Sequence, residues 1–270
     1  MIDAHFHIWQ LARGDYGWLT PAAGPIYRDV TLEDWRRVSA SCGVTGGILV
    51  QAAPTEDETR FLLQQAHAAP DVLGVVGWVD MLAPNAERRI DAMAEDSRLR
   101  GLRPMLHDIA DPDWILQDAL QGAFAAMLAC DLTFDALVRP VHLPRILELA
   151  RRYRGLRIVI DHGAKPDIAG GQWQDWASDL ERLAREPQVF CKLSGLWTEA
   201  ARGAGADVLA PYVRQVVACF GAGRVLWGSD WPVLELAGAY PAWHAAARDL
   251  IAPQDRTLVF DQVARQAYRL

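Results

Sequence analysis

The residues best equipped for chemistry are His5 and His7 in Met1-Ile2-Asp3-Ala4-His5-Phe6-His7-Ile8-Trp9, His162 in Asp161-His162-Gly163-Ala164-Lys165-Pro166, and Asp230 in Gly228-Ser229-Asp230-Trp231-Pro232. Neutral imidazole is the commonest metal ligand and also an acid or base near neutral pH. A carboxylate can take a proton from water or complete a cation site. On an extended strand residues i and i+2 share a face, so His5 and His7 converge on one point. Among seven histidines in 270 residues a His-x-His pair is nonetheless a common accident. Taken singly, His162 reads equally well as a satisfied core histidine, and Asp230 as a turn residue. What decides is whether the fold gathers them.

Apolar runs at 2–8, 46–51, 73–80, 101–106, 132–138, 156–162, 188–194 and 225–230 predict eight strands. Helix-like segments lie between them at 31–42, 55–69, 85–96, 142–153, 173–185 and 207–220. Thr31 and Thr55, each followed by acids, supply N-cap chemistry. Ile158-Val159-Ile160 and Gly46-Gly47-Ile48-Leu49-Val50 are continuous apolar runs, as in parallel strands covered on both faces. The eight βα units predict a (β/α)8 TIM barrel formed as a single domain over 1–270, with a doubly wound open sheet as the alternative. The barrel is favoured because polar residues end the apolar runs: His5 and His7, Gln51, Asp80, Arg103, Asp135, His162, Lys192 and Asp230. Closure brings all eight ends to one mouth, where an open sheet would spread them out. The segment 258–270 reads as a helix in the outer layer.

Composition narrows the partners. The chain is 51% hydrophobic and 23% charged, with a net charge of -7, which argues against nucleic acid and against a basic membrane patch and favours a small-molecule partner. Cysteines 42, 130, 191 and 219 show no Cys-x-x-Cys spacing, and the chain starts without a basic-then-apolar leader. Free thiols in a reducing cytoplasm are expected. No heptad or apolar stripe speaks to the oligomeric state.

His5-x-His7, Asp161-His162-x-x-Lys165-Pro166, Cys191-Lys192-Leu193-Ser194-Gly195 and Gly228-Ser229-Asp230-Trp231-Pro232 together resemble the amidohydrolase superfamily. Val50-Gln51-Ala52, Val76-Gly77-Trp78-Val79-Asp80 and Arg100-Gly101-Leu102-Arg103-Pro104 are similar to its amidohydrolase-related branch of sugar-acid lactonases, of the L-fuconolactonase and L-rhamnonolactonase type. The resemblance runs along the whole chain. It implies a barrel that hydrolyses small lactones to hydroxy acids. It also exposes departures: binuclear members carry a bridging lysine at the end of strand 4, and many metal-dependent members a histidine at the end of strand 5. This chain has Arg103 and Asp135 there. One zinc ion held by His5, His7 and Asp230, with His162 as a further donor, is therefore allowed but not required.

An aldonolactone is an activated cyclic ester whose hydrolysis needs deprotonated water, a polarised carbonyl and a protonated leaving alkoxide. Asp230 is expected to be the base, His162, Arg103 or an ion to stabilise the oxyanion, and His5 and His7 to position water or the ion. An aspartate near its usual pKa of about 3.9 is a weak base, so burial must raise it or an ion must acidify the water. Gln51, Asp80, His107, Asp135 and Lys192 are expected to bind sugar hydroxyls, and Trp78 or Trp231 to pack on sugar C–H groups. Met105 and Met127 read as packing residues. Two rivals remain open: a zinc-dependent decarboxylase of the same superfamily, and a sugar-acid binding barrel without turnover.

Overall fold

The computed structural model describes residues 1–270. Its strands β1 (Ile2–Phe6), β2 (Gly46–Val50), β3 (Val72–Gly77), β4 (Leu99–Leu102), β5 (Thr133–Ala136), β6 (Ile158–Ile160), β7 (Val189–Leu193) and β8 (Val225–Trp227) form one sheet in sequence order. Every neighbouring pair from β1 to β8 is parallel. Around it run α1 (Leu32–Ser39), α2 (Glu56–His67), α3 (Ala86–Ala94), α4 (Gln121–Ala129), α5 (Leu143–Arg152), α6 (Gln174–Leu183), α7 (Ala210–Phe220) and α8 (Tyr240–Leu250). This is a (β/α)8 barrel. No helix is long and apolar enough to cross a membrane, and all four cysteines are free.

Each of the eight apolar runs overlaps a strand, because residues buried on both faces leave a continuous hydrophobic signal; β3 begins one residue and β4 two residues before its run. The caps form as expected. Thr31 accepts from the Asp34 amide while Asp34 accepts from that of Thr31, and Thr55 accepts from the Glu58 amide; such a cap is worth about 1 kcal/mol. Two outer helices, α4 and α8, have no counterpart among the expected segments. Gln121-Gly122-Ala123-Phe124-Ala125-Ala126-Met127-Leu128-Ala129 is apolar almost all round and so shows little helical periodicity.

The barrel closes through the segment that follows β8. The Asp230 amide donates to the His5 carbonyl (2.8 Å), and the His7 amide donates to that of Trp231 (2.8 Å). This seam ties the two histidines and the aspartate to one backbone frame.

Two features depart from simple alternation. Along β1, Asp3 and Phe6 both contact Trp35 of α1 outside the barrel, while Ala4 joins the inner core and His5 turns inward. The ladder with β2 shifts register between Asp3 and Phe6, and that bulge re-aims His5, which strict alternation from Asp3 would turn outward. The second departure corrects the expected place of the C-terminal segment. A π-turn (Leu258–Gln262) leads into α9 (Val263–Tyr268), whose Val263, Ala264, Ala267 and Tyr268 pack among the inward residues Ile2, Ala4, Ile48, Val50, Val76, Val159, Phe190 and Leu226. The helix plugs the barrel rather than lying in its outer layer. Thr133 of β5 donates to the Ala267 carbonyl (2.7 Å), anchoring the plug.

Candidate active site

His5 and His7 meet as their spacing implies, with their Nε2 atoms 3.2 Å apart. Asp230 Oδ1 lies 3.6 Å from His5 Nε2, 3.4 Å from His7 Nε2 and 3.9 Å from His162 Nε2. All four side chains are buried. Their positions cost backbone strain: His162 (φ 55°) and Asp230 (φ 58°) both occupy the left-handed region, and Gly163, Ala164 and Lys165 continue it after His162. Non-glycine residues enter that region at a cost and concentrate at functional sites. Gly195 is needed for the same cluster. Its φ is 57°, and a Cβ there would collide with the His162 ring and lie 2.9 Å from Asp230 Oδ2.

Proton positions follow from the partners. His7 Nδ1 faces the Val50 carbonyl at 2.8 Å, so it donates and leaves the Nε2 lone pair turned towards Asp230. His5 Nδ1 faces the Lys192 ammonium at 3.1 Å, which puts the proton of a neutral His5 on Nε2, beside His7 Nε2. His162 Nδ1 pairs with Ser194 Oγ at 2.8 Å. Burial holds His5 and His162 well below the ordinary histidine pKa, so both are neutral. Burial raises the Asp230 carboxyl and the His162 and His7 imidazoles that face it lower it, with a net direction below the usual carboxylate range.

The donor set suits a zinc-like ion in spacing. His5, His7 and Asp230 offer three ligand atoms 3.2, 3.6 and 3.4 Å apart. Tetrahedral coordination with bonds of about 2.1 Å sets neighbouring ligand atoms about 3.4 Å apart. His7 already has the carbonyl partner that orients a ligating imidazole. For His5 to join, its proton must move to Nδ1 and face Asp161 Oδ1, now 3.5 Å away.

Below the histidines lies a charged layer. Lys192 Nζ stands 2.8 Å from Asp135 Oδ2 and 2.7 Å from Asp161 Oδ1, and all three side chains are fully buried. Asp161 also accepts from Arg103 Nη1 (3.3 Å), and Asp135 from the Tyr268 hydroxyl of the plug (2.6 Å). Burial pushes Asp135 up to about 6 against the opposing charge of Lys192. Burial pushes Asp161 the same way, but the charge of Lys192 outweighs it and holds Asp161 well below the carboxylate range.

Above them opens a cavity of about 220 Å³, lined among others by His7, Trp18, Arg103, His107, His162, Lys165 and Asp230. The Arg103 guanidinium is almost wholly buried; its Nε has no partner in the protein. Burial drops His107 to about 4, leaving it neutral on the wall.

Of the expected sugar-binding residues, Arg103 and His107 reach this cavity. Trp78 and Asp80 line a neighbouring one. Four do not face the space. Gln51 is spent on β4, donating to the Arg103 carbonyl at 2.7 Å. Asp135 and Lys192 neutralise each other one layer down, and Trp231 packs into the core with its indole N–H on Glu235 (2.7 Å). A strand's polar end can sit above or below the cavity floor, and composition does not record the depth. Met105, expected as packing, lines both cavities, whereas Met127 is core. The sequence assigns no separate role to Trp18, Lys165 or Asp161. Lys165 and Asp161 belong to the Asp-His-x-x-Lys-Pro run that carries His162, and that shared motif was the available signal.

The profile of the amidohydrolase family matches residues 2–270. The chain belongs to the amidohydrolase family. It is 48% identical to an L-fucono-1,5-lactonase of Burkholderia ambifaria over all of this chain and 95% of that one. A second L-fucono-1,5-lactonase, from Burkholderia multivorans, is 32% identical over all of this chain and 96% of its own length. Among solved structures, a Burkholderia multivorans amidohydrolase with bound zinc superimposes with a TM-score of 0.93 at 31% identity, covering all of this chain and 99% of the other.

One buried acid of this amidohydrolase predicts a pH effect. Glu58 accepts from the backbone amides of Ala52 and Ala53, holding the loop after β2 on which the Trp18 indole N–H rests (2.7 Å to the Ala52 carbonyl). Burial raises Glu58 to about 7. An acid whose folded pKa lies above its unfolded one stabilises fully below the unfolded value and loses that contribution as pH rises through the folded value. Wild type should therefore lose about 3 kcal/mol from this group between about pH 4.5 and pH 7. Glu58→Gln should flatten the pH dependence of the urea midpoint in that window; an unchanged slope would count against the assignment.

Proposed function

We propose that this protein hydrolyses a sugar-derived 1,5-lactone to the open hydroxy acid, with Asp230 accepting the proton of the attacking water. The observation that carries the reading is the convergence of Asp230, His7 and His162 at the floor of a cavity that also holds Arg103, in a chain 48% identical along its length to an L-fucono-1,5-lactonase.

A lactone lying in this cavity meets Asp230 at the floor and the guanidinium of Arg103 beside it. Water held by Asp230 and His7 Nε2 attacks the carbonyl carbon. Charge then grows on the carbonyl oxygen, where Arg103 and neutral His162 supply fixed donors. The C–O bond of the ring breaks, and the proton held by Asp230 passes to the departing ring oxygen, which regenerates the carboxylate. His107 and Lys165 face the sugar hydroxyls and, after ring opening, the new carboxylate. A low-pKa base is sufficient because the cyclic ester is already activated.

His5, His7 and Asp230 are the residues that would hold a zinc ion. Such an ion would acidify water and polarise the carbonyl. The Lys192 bond to His5 Nδ1 favours the proton arrangement that works without one.

The test is a pH-indicator assay over 1,4- and 1,5-aldonolactones, including L-fucono-, L-rhamnono-, D-arabinono- and L-galactonolactone, with and without chelation. Stereoselective turnover that survives stringent metal removal is expected. Loss on removal with recovery on adding Zn²⁺ would make the ion essential, and no turnover above the spontaneous rate would overturn the lactonase reading.

A further inference from the structure

We propose that a second compartment beside the catalytic cavity is a glycosyl subsite, so that the preferred substrate is a lactone carrying a neutral sugar unit. This rests on the lactonase reading and specifies its substrate class. The catalytic cavity, at about 220 Å³, falls below the roughly 300 Å³ at which pockets for larger ligands begin, and suits one small ring. The adjoining compartment measures about 470 Å³, and Trp18, Met105 and Asp108 line both. A ligand anchored by its lactone ring therefore has room for a second ring across that shared wall.

The lining specifies the chemistry of the second ring. Trp18, Trp78 and Trp114 supply indole surface. Trp18 is exposed yet fixed, bonded to the Ala52 carbonyl and set edge-on against Trp9 with ring centroids 5.5 Å apart. A large exposed indole held in one orientation is a platform for the C–H face of a pyranose. The polar side chains of the compartment are all carboxylates, Asp15, Asp80 and Asp108, and no Lys, Arg or His lines it. Asp15 is paired with Arg13 and Asp108 with His107 Nε2 (3.1 Å). Asp80 accepts only the Leu82 amide (3.1 Å, through Oδ1), leaving Oδ2 for a hydroxyl donor. Hydroxyl groups fit such a lining, whereas phosphate or uronate groups meet repulsion. The catalytic cavity is the opposite, with Arg103 and Lys165 facing the space where the product carboxylate forms. The substrate class is thus a glycosyl-aldonolactone, and the reaction class that would supply it is oxidation of the reducing end of a neutral disaccharide.

The test compares L-fucono-1,5-lactone with its β-D-galactosyl derivatives, with wild type, Trp114→Ala and Asp80→Asn. We expect kcat/KM for at least one galactosyl lactone to exceed that of the parent by about tenfold, the scale of one good aromatic contact. Trp114→Ala should erase that gain while leaving the parent lactone unchanged, and isosteric Asp80→Asn should lower the galactosyl rate severalfold. A 6-phosphogalactosyl derivative should lose the gain. Parent turnover with poorer turnover of every galactosyl lactone overturns the subsite, as does an equal loss on both substrates in Trp114→Ala. If neither kind of lactone is hydrolysed, the lactonase reading falls. The subsite is then decided by calorimetry with the opened acids: galactosyl-L-fuconate binding more tightly than L-fuconate sustains it, and equal or weaker binding overturns it.

Discussion

Asp230→Asn is expected to lower kcat for the best lactone by about 10²- to 10⁴-fold, the usual worth of a positioned general base, while a non-hydrolysable product analogue still binds within a few-fold of wild type. Asparagine keeps the shape of the side chain and is among the residues that tolerate the left-handed backbone found at this position (φ 58°), so the fold should persist. The substituted amide cannot take a proton from water. Added Zn²⁺ should not restore the rate, because the same change removes the one anionic donor among His5, His7 and Asp230. Steady-state kinetics with the analogue Kd separate the two effects. A loss under tenfold would remove Asp230 from the role of base. Wild type that binds lactones or their acids without turning them over would instead favour the binding-barrel reading.

Lys192→Met should destabilise the protein by about 3–5 kcal/mol, the cost of leaving buried charge without its partner. The Lys192 ammonium is fully buried and serves Asp135 and Asp161 at once. Without it, Asp135 loses the charge that opposes its burial and Asp161 keeps only that of Arg103, so their pKa values rise. Stability then persists at low pH and falls as pH rises through the raised values, so the defect should be smaller at pH 5 than at pH 8. Asp135→Asn added to Lys192→Met should recover part of the loss. Urea denaturation at the two pH values reads this directly. A destabilisation under about 1 kcal/mol, or one independent of pH, would show that the layer is not held as an ion network.

The same layer bears on the decarboxylase alternative. The end of β5 carries Asp135, committed to Lys192 and Tyr268, where the resemblance leads one to expect a histidine in many metal-dependent members. Superposition on a 5-carboxyvanillate decarboxylase, with a TM-score of 0.70 at 16% identity, reflects the shared barrel alone.

Much of this was legible in the chain. Eight doubly buried parallel strands leave eight apolar runs, and polar residues at their ends mark one rim, so the barrel and the candidates His5, His7, His162 and Asp230 can be read from the order of residues. The closing seam between β1 and the segment after β8 also follows from the count of strands, since eight strands in a barrel must return to the first. Tertiary structure decided depth and direction. The bulge in β1 turns His5 inward, against the parity set by Asp3. The C-terminal helix fills the barrel, and its Tyr268 hydroxyl reaches Asp135. Gln51, Asp135 and Lys192 look in sequence like Arg103 and His107, yet three serve the interior and two face the cavity. The reason is physical: side-chain type and periodicity are local properties that one strand records by itself. Whether a polar group meets a ligand or another buried charge depends on which neighbours the closed barrel sets at the same height, and those neighbours lie tens to hundreds of residues away.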